Sequence, residues 1–275
     1  NEMTEIVKND FNIEKLQVTI AEAEEIAEKN NLFNCKNELK YIKANSVTVY
    51  KINDYYDYLY GLMVPSTGYI KAFNLVKHSD GFVVQFESFA TPGKLNPYME
   101  YPKLTNIFRE YNKWSDILNV TSVCNLNDAI SNGDIKELVL IAEALQEKKI
   151  ANIADSIQKS GKKFVFIAGP SSSGKTTFSK RLCIQLKVVG IKPHIISLDN
   201  YYKSRENIPY GADGSQNFEN INTLEIDKLN NDLLALKNGE VVETPIYDFL
   251  TGEPKAKGKK IKLDKDDVLV IEGIH

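Results

Sequence analysis

The chain has 275 residues, of which 43% are hydrophobic and 26% charged, with 34 basic and 37 acidic side chains. This composition is typical of a globular protein of one or two domains and excludes a disordered, collagen-like or coiled-coil chain. The net charge of -3 argues against a surface devoted to nucleic acid. Residues 151–200 nevertheless carry 8 basic and 2 acidic side chains, which favours an anionic ligand in that region.

Cysteine usage and apolar runs indicate the compartment. The three cysteines, Cys35, Cys124 and Cys183, are too far apart for a disulfide framework or a paired metal or redox motif. No apolar run approaches the roughly 18 residues of a membrane helix, and the acidic start lacks the pattern of a secretory signal. We therefore expect a cytoplasmic protein with no membrane partner. Both ends look cut, so we also expect a piece of a longer protein.

The first part of the chain mixes helical and strand patterns, which predicts an α+β domain over residues 1–130. Apolar residues have helical spacing over residues 21–29, whereas residues 46–52 and 81–89 have the composition of strands. Residues 69–73 follow a turn signal and alternate between apolar and polar side chains, which predicts a further strand.

A long amphipathic helix is expected to connect this domain to a second one. Apolar residues recur at intervals of three and four over residues 134–160, and Gly161 follows as a stop signal. We assign residues 131–160 to this connecting helix. The second domain, residues 161–275, then opens on the apolar run 164–168, which is typical of a strand buried on both faces of a parallel sheet.

The second domain continues with alternating helical and strand patterns. Residues 176–189 and 225–238 have helical spacing, and residues 193–198 and 267–271 have the pattern of buried strands. Alternation of this kind predicts an α/β fold with a parallel sheet.

The string GPSSSGKT at residues 169–176 matches the phosphate-binding pattern G-x-x-x-x-G-K-[ST] and lies between a predicted strand and a predicted helix, as that loop requires. Its glycines let backbone N–H groups turn towards phosphate oxygens at the positive end of the helix. Lys175 reaches the outer phosphates in this pattern, and the Thr176 hydroxyl can bind Mg²⁺. The predicted nucleotide-binding residues are Gly169, Ser171, Ser172, Ser173, Gly174, Lys175, Thr176 and Thr177.

This loop implies a nucleoside triphosphate but does not identify a reaction. The motifs Asn-Lys-x-Asp and Leu-Ser-Gly-Gly-Gln, which would support a Ras-like GTPase or a transporter ATPase, do not occur. Asp199 follows the strand after the loop helix, at the ligand edge of such sheets, where it can accept a hydroxyl proton or hold Mg²⁺. A loop-capping role is the alternative for Asp199. Glu272, at the end of the last strand, takes the place of an acidic metal-shell residue.

Five motifs occur in the order found in the uridine kinase and phosphoribulokinase family: GPSSSGKTT, SLDNYY, NFE, IYDF and IEGIH. On these motifs residues 161–275 resemble a P-loop nucleoside kinase. The resemblance implies Mg²⁺-dependent transfer of the γ-phosphoryl group of ATP or GTP to the 5′-hydroxyl of a uridine-like or cytidine-like nucleoside. It makes Asp199 the general base, and it makes Thr176, Asp199 and Glu272 the Mg²⁺ ligands. The substrate-binding residues that it implies are Tyr202, Glu219, Tyr247 and Phe249.

Two positions depart from that family's pattern. Glu219 stands where uridine kinases usually have Asp, and the resemblance implies a base-contacting His near Gly252, where this chain has none. The base preference therefore stays open. Two alternatives to a nucleoside kinase also stay open: a kinase of a non-nucleoside alcohol, similar to phosphoribulokinase or pantothenate kinase, and a protein without catalysis that binds nucleotide or RNA.

The segment DYLYGLMVPSTGYIKAF at residues 57–73 is similar to the editing-type domain of threonyl-tRNA synthetases. In those synthetases a Cys and a His precede the Val-Pro pair, whereas Leu59 and Met63 stand at the matching positions here. The resemblance therefore implies a degenerate domain over residues 1–130 with no zinc or hydrolytic site. The predicted fold class is an α/β P-loop kinase with an incomplete parallel sheet, preceded by this α+β synthetase-like domain.

The resembling kinases continue beyond the strand that carries Glu272 and add a lid that bears arginine. We therefore expect this chain alone to bind nucleotide but to be nearly inactive as a kinase. Of the two arginines after the phosphate loop, Arg205 is the better substitute for a lid arginine and Arg181 is a packing or surface residue. An open edge on the last strand would favour association between copies, so a homo-oligomer is one expected outcome.

Overall fold

The computed structural model describes residues 2–59, 61–79, 81–88, 91–211, 214–255 and 257–275, with only the backbone of residues 33–35. The chain forms two compact units, Asn1–Val139 and Leu140–His275. Each unit has its own hydrophobic core. None of the helices in the described ranges is long and apolar enough to cross a bilayer. The predicted domain boundaries at residues 130 and 160 stay predictions.

The described part of the first unit contains, in chain order, α1 (Glu2–Asn9), β1 (Glu14–Thr19), α2 (Ile20–Lys29), α3 (Phe33–Leu39), β2 (Ser46–Ile52), β3 (Tyr55–Tyr58), β4 (Phe73–His78), β5 (Gly81–Phe86), α4 (Pro102–Ile117) and α5 (Val123–Asn132). Strands β1, β2 and β3 form an antiparallel sheet in that order. Strands β4 and β5 pair as a separate antiparallel hairpin. This unit is therefore α+β.

Helix α2 packs on the antiparallel sheet through a small apolar contact. Ala23 of α2 is buried against Val47 and Val49, which are alternate residues of β2 and so point to the same face of the sheet. The helix starts with a capping box, in which the Thr19 hydroxyl accepts the Glu22 N–H and the Glu22 carboxylate accepts the Thr19 N–H.

Local sequence patterns predict several elements of this unit well. Strand β2 coincides with the predicted strand over residues 46–52, and α2 extends the predicted helix by Ile20. The strand predicted over residues 81–89 ends at Phe86 in the structure, and its last residue, Phe89, lies outside the described residues.

The strand predicted over residues 69–73 is wrong. A single 3-10 turn spans Thr67–Tyr69, and β4 begins only at Phe73. The buried Thr67 hydroxyl donates to the carbonyl of Ile6 at 2.7 Å and accepts the N–H of Phe11 at 2.9 Å. These distant contacts fix the turn in the region of the predicted turn signal, whereas only Phe73 of the predicted strand belongs to β4.

Helix α6 (Ile135–Ser160) covers the segment in which apolar residues recur at helical spacing. Gly161 follows it with a φ of +62°, a left-handed conformation that favours glycine after a helix. Within the second unit, Ile150 and Ala154 of this helix are buried, one helical turn apart.

The described part of the second unit continues with β6 (Phe164–Ala168), α7 (Lys175–Val188), β7 (Pro193–Ser197), α8 (Ile226–Lys237), β8 (Val242–Thr244), β9 (Tyr247–Asp248), β10 (Glu253–Pro254), β11 (Lys259–Ile261) and β12 (Val268–Gly273). Strands β6, β12 and β7 form a parallel sheet in that order. The predicted α/β fold with a parallel sheet is thus confirmed.

The expectation that the last strand has an open edge is wrong. Strand β12 lies at the centre of the sheet, paired with β6 on one side and β7 on the other. Its side chains alternate between two cores, with Leu269 and Ile271 in one and Val268 and Val270 in the other. Burial on both faces is the reason why this strand is a continuous apolar run.

Asp267 anchors the start of β12. Its Oδ2 atom lies 2.7 Å from Nε2 of His194 and 3.3 Å from Nζ of Lys192, and it accepts the N–H of Asp264 at 3.2 Å. Burial raises the pKa of the Asp267 carboxyl, but these hydrogen bonds and the Lys192 charge together outweigh burial and lower it. The ionised form is therefore the one that the folded state stabilises.

We expect Asp267→Asn to reduce the free energy of unfolding at pH 7 by about 1–3 kcal/mol, because it weakens hydrogen bonds to a buried charged group. Since the pKa of Asp267 is lower in the folded state than its unfolded value of about 3.9, this stabilisation is present above that pH and is lost as the pH falls through the folded-state pKa. Denaturant unfolding at several pH values measures the difference. The matched control is Asp264→Asn, whose side chain is exposed and should matter by less than about 1 kcal/mol. A deficit of Asp267→Asn that did not shrink below about pH 4 would contradict this account.

Candidate functional site

The loop between β6 and α7 has the backbone shape of an anion-binding site. Ser172 and Gly174 have left-handed φ values of +60° and +85°, and Gly174 caps the start of α7. Left-handed residues before a helix turn successive N–H groups towards one point, where the helix dipole adds positive potential. At Gly169 a Cβ would lie 3.0 Å from Oγ of Ser173, so glycine suits the tight entry to the loop.

The predicted nucleotide-binding side chains belong to this loop and to the first residues of α7. Lys175 is the first residue of α7, and its Nζ atom donates to the carbonyl of Pro170 at 2.8 Å across the loop. The Thr176 and Thr177 side chains are exposed at the helix start, as are Ser171, Ser172 and Ser173 in the loop. An ammonium group held by one carbonyl can exchange that partner for a phosphate oxygen.

Two carboxylates lie at the carboxyl edge of the parallel sheet. Asp199 belongs to the 3-10 turn that directly follows β7, and Glu272 is the penultimate residue of β12, level with Ser197. Gly273 permits this turn to approach the strand, because a Cβ there would lie only 2.7 Å from Cβ of Leu198. The predicted placement of both acids at one sheet edge is therefore what the structure shows.

The electrostatics of Asp199 connect it to the phosphate loop. Burial raises the pKa of its carboxyl most, and the Glu272 charge raises it further. Lys175 and His275 lower it. The Asp199 carboxyl thus lies within electrostatic range of both a second acid and the loop lysine.

These residues fit a Mg²⁺ ion. Oδ1 of Asp199 is buried and has no hydrogen-bond partner among the described residues. A buried, unpartnered carboxylate oxygen beside a second acid is unfavourable unless a cation balances the charge. Carboxylate and hydroxyl oxygens are the ligands that Mg²⁺ prefers, so Asp199, Glu272 and Thr176 form a suitable donor set.

An aromatic cluster centred on Tyr202 adjoins Asp199. Its other rings, all edge-on to Tyr202 at centroid distances of 5.5 to 6.4 Å, belong to Phe218, Tyr247, Phe249 and His275. Burial and then the Asp199 charge, with smaller effects of Tyr247 and Glu219, raise the pKa of Tyr202 to about 12. Three of the four predicted substrate-binding residues, Tyr202, Tyr247 and Phe249, are therefore in ring contact with one another. The charges of Glu219 and of the predicted general base, Asp199, both act on Tyr202.

These four residues differ in exposure. Tyr202 and Tyr247 are each 5% exposed and belong to the hydrophobic core beneath the sheet edge. Phe249 is 57% exposed, and Glu219 is exposed as well. The two tyrosines are thus core residues, whereas Phe249 and Glu219 are accessible to a ligand.

Sequence reasoning gave no role to His275 and Phe218, although both lie in the quoted motifs. Nε2 of His275 is buried without a hydrogen-bond partner among the described residues. Their places in the sequence could have indicated that both residues lie at the site. His275 follows the same strand end as Glu272, and Phe218 immediately precedes Glu219.

The two arginines after the phosphate loop lie in different surroundings. Arg181 on α7 pairs with Glu147 of α6, with Nη2 and Oε2 2.5 Å apart, as expected for a packing residue. Arg205 instead donates from Nη2 to the carbonyl of Phe249 at 3.4 Å, and its own N–H donates to the carbonyl of Gly252. The contacts of Arg205 therefore associate it with the aromatic cluster.

The second unit is similar to known kinases. Residues 164–275 match the Phosphoribulokinase / Uridine kinase family. The chain is 36% identical to the uridine kinase of Mycoplasma genitalium over 110 residues, which cover 40% of this chain and 50% of that protein. It is 32% identical to the uridine kinase of Halobacterium salinarum over 108 residues, which cover 39% and 46% respectively.

A solved structure described as a possible uridine kinase from Bacillus stearothermophilus is 23% identical, with a TM-score of 0.40, over 48% of this chain and 71% of that one. The chain spans about half the length of the curated relatives it matches. The threonyl-tRNA synthetase resemblance of residues 1–130 is not supported by these comparisons and stays a prediction. The family match spans the parallel sheet, the phosphate loop and both carboxylates at the sheet edge.

Proposed function

We propose that the second unit transfers the γ-phosphoryl group of ATP or GTP to the 5′-hydroxyl of a uridine-like or cytidine-like nucleoside, with Mg²⁺ as cofactor. The observation that carries this proposal is the position of Asp199. Its half-buried carboxyl lies within electrostatic range of Lys175 of the phosphate loop and of Tyr202 of the aromatic cluster. This position supports a role for Asp199 between a bound triphosphate and a flat acceptor.

In this proposal the loop and Lys175 hold the triphosphate, and Asp199 accepts the proton of the acceptor hydroxyl. The raised pKa of Asp199 makes its carboxylate a stronger base than an exposed one. Bound Mg²⁺ supplies neutralisation of charge on the phosphate oxygens. The rest of the rate enhancement comes from holding donor and acceptor in line while water is excluded.

The surroundings of Tyr202 favour a nucleoside over an open-chain alcohol. The Phe249 ring, which is 57% exposed and packs edge-on against Tyr202 and Tyr247, offers an aromatic surface to a planar base. The Glu219 carboxylate accepts hydrogen bonds only, as the hydroxyl groups of a ribose require, and it lies near enough to Tyr202 to raise the pKa of that phenol. A planar base and a sugar are the two parts of a nucleoside.

A thermal-shift panel tests the proposal. The acceptors are uridine, cytidine, adenosine, ribulose 5-phosphate and pantothenate, each with Mg²⁺ and a non-hydrolysable ATP analogue. We expect a pyrimidine nucleoside to raise the melting temperature beyond the analogue alone, because a ligand at 100 times its Kd adds about 2.7 kcal/mol of stability. Stabilisation by the sugar phosphate or pantothenate would favour the non-nucleoside alternative. Stabilisation by the analogue alone would favour a nucleotide-binding protein without an acceptor.

A further inference from the structure

The first unit contains an open cleft between the β4–β5 hairpin and helix α4. Its volume is about 880 Å³, which is within the range of about 300–1,000 Å³ that is usual for small-molecule sites. The hairpin contributes Val83 and Gln85, which are alternate residues of β5 and so share one face. Helix α4 contributes Leu104 and Phe108, which are one turn apart. All the kinase motifs lie in the second unit, so they give this cleft no role.

Aromatic side chains make up much of the lining of this cleft. They belong to Tyr98, Tyr101 and Phe108. Tyr101 is 57% exposed and Phe108 is 63% exposed, so both rings are open to a ligand. Large apolar side chains that stay open to solvent beside a cleft are typical of a binding surface. Aromatic rings pack favourably against another ring, and the cleft therefore suits a flat aromatic ligand.

A chain of three hydrogen bonds runs through one wall of the cleft and is centred on His78. Nδ1 of His78 lies 2.5 Å from the Tyr98 hydroxyl, and Nε2 lies 3.0 Å from the Thr105 hydroxyl. The Thr105 hydroxyl donates its one proton to the carbonyl of Tyr101 at 3.2 Å, so towards His78 it accepts. A neutral imidazole has one donor nitrogen and one acceptor nitrogen. Nε2 of His78 is therefore the donor, and Nδ1 accepts the Tyr98 O–H.

This chain leaves the Tyr98 oxygen as a hydrogen-bond acceptor in the cleft lining. Its proton is directed to Nδ1 of His78. Burial and then the Glu100 charge raise the pKa of Tyr98, so the phenol keeps that proton at neutral pH. A phenol oxygen whose proton is already donated can only accept further hydrogen bonds. A polar ligand group that meets Tyr98 must therefore be a donor.

We propose that this cleft binds a flat heteroaromatic molecule whose ring carries an N–H donor. The ring packs against Tyr101 and Phe108, and its N–H donates to the phenol oxygen of Tyr98. A hydrocarbon ring lacks the donor, and a ring that presents a carbonyl would place one acceptor against another. This inference concerns the first unit and does not depend on the proposed kinase function.

Titration of indole and 1-methylindole into the full chain, followed by ligand-observed NMR, tests this inference. The solution contains Mg²⁺ and a non-hydrolysable ATP analogue to occupy the nucleotide site, at pH 8, which favours a neutral imidazole. In 1-methylindole a methyl group replaces the proton of the N–H. Burial of that methyl alone should tighten binding about fourfold, whereas loss of one hydrogen bond should weaken it about tenfold. We therefore expect the wild type to bind indole about two- to threefold more tightly than 1-methylindole.

Tyr98→Phe should reverse this preference and change the ratio of the two Kd values by about tenfold, because the phenyl ring stays and the acceptor is lost. Thr105→Val removes the group that fixes the proton on Nε2 of His78, so it should reduce the preference while Tyr98 stays in place. Tyr55→Phe is the matched control, because Tyr55 is an exposed tyrosine of β3 outside the cleft lining, and it should keep the wild-type ratio.

Two results would overturn the inference. A wild type that binds 1-methylindole as tightly as indole, or more tightly, has a cleft that recognises apolar surface alone. Absence of binding by both probes would show that the cleft does not accept a flat ring. Adenine and N-acetyltryptophanamide, titrated in the same way, distinguish a free base from an indole side chain as the source of the ring.

Discussion

Lys175→Ala is expected to weaken binding of Mg²⁺–ATP by about 10²-fold or more. The triphosphate carries several negative charges, and the loop at Ser172 and Gly174 offers them backbone dipoles. Lys175 adds a full positive charge, already positioned across this loop by its hydrogen bond to Pro170. Hydrogen bonds to charged groups contribute about 1.5–3 kcal/mol each, and a lysine that reaches two phosphates makes at least two.

Calorimetry of ATP binding with and without Mg²⁺ measures this loss. Lys180→Ala is the matched control, because Lys180 lies on the exposed side of the same helix α7 and its removal changes net charge equally. Equal ATP affinities of wild type and Lys175→Ala would show that the loop is a glycine-rich turn and not a phosphate site. Lys175→Ala should change the free energy of unfolding by only about 1 kcal/mol, the value of one carbonyl hydrogen bond, so lost binding would not reflect lost folding.

The phosphate loop could be predicted from sequence because its determinants are contiguous. Residues 169–176 carry their own glycines and lysine, and the apolar run before them specifies a buried strand. Asp199 and Glu272 were predictable for a related reason: parallel strands end at the same edge of a sheet, so residues that follow two such strands are neighbours.

Strand order and side-chain packing could not be predicted in this way. The position of β12 between β6 and β7 depends on contacts of Leu269 and Ile271 with residues far away in the chain. The sequence shows that residue 252 is Gly, but only the structure shows that Arg205 fills the space beside it. Tertiary contacts of this kind leave no local periodicity, which is also why the strand predicted directly after the turn at Thr67 was wrong.

Asp199→Asn is expected to reduce phosphoryl transfer by about 10²-fold or more while ATP binding persists, since removal of a general base typically costs 10²–10⁴ in rate. The amide keeps the shape of the side chain but cannot accept the hydroxyl proton. Steady-state turnover with a pyrimidine nucleoside, beside calorimetry of ATP binding, separates chemistry from binding. Near-normal turnover would leave Asp199 with only a structural role in its loop.

The same substitution should leave stability unchanged or increase it when nucleotide and Mg²⁺ are absent. Burial and the Glu272 charge hold the pKa of Asp199 above its unfolded value. The ionised carboxylate therefore destabilises the folded state at pH values above the folded-state pKa. This destabilisation vanishes at pH values below the unfolded-state pKa. Asp232 provides a control for which we expect the opposite effect on stability. Its carboxylate accepts hydrogen bonds from Lys228 at 2.9 Å and from the Tyr201 hydroxyl at 3.0 Å. Asp232→Asn should therefore lower the melting temperature and leave turnover intact. If Asp199 reduces the stability of the free protein while it supports turnover, its surroundings suit a bound ligand. A large loss of stability in Asp199→Asn would instead show that Asp199 has a structural role.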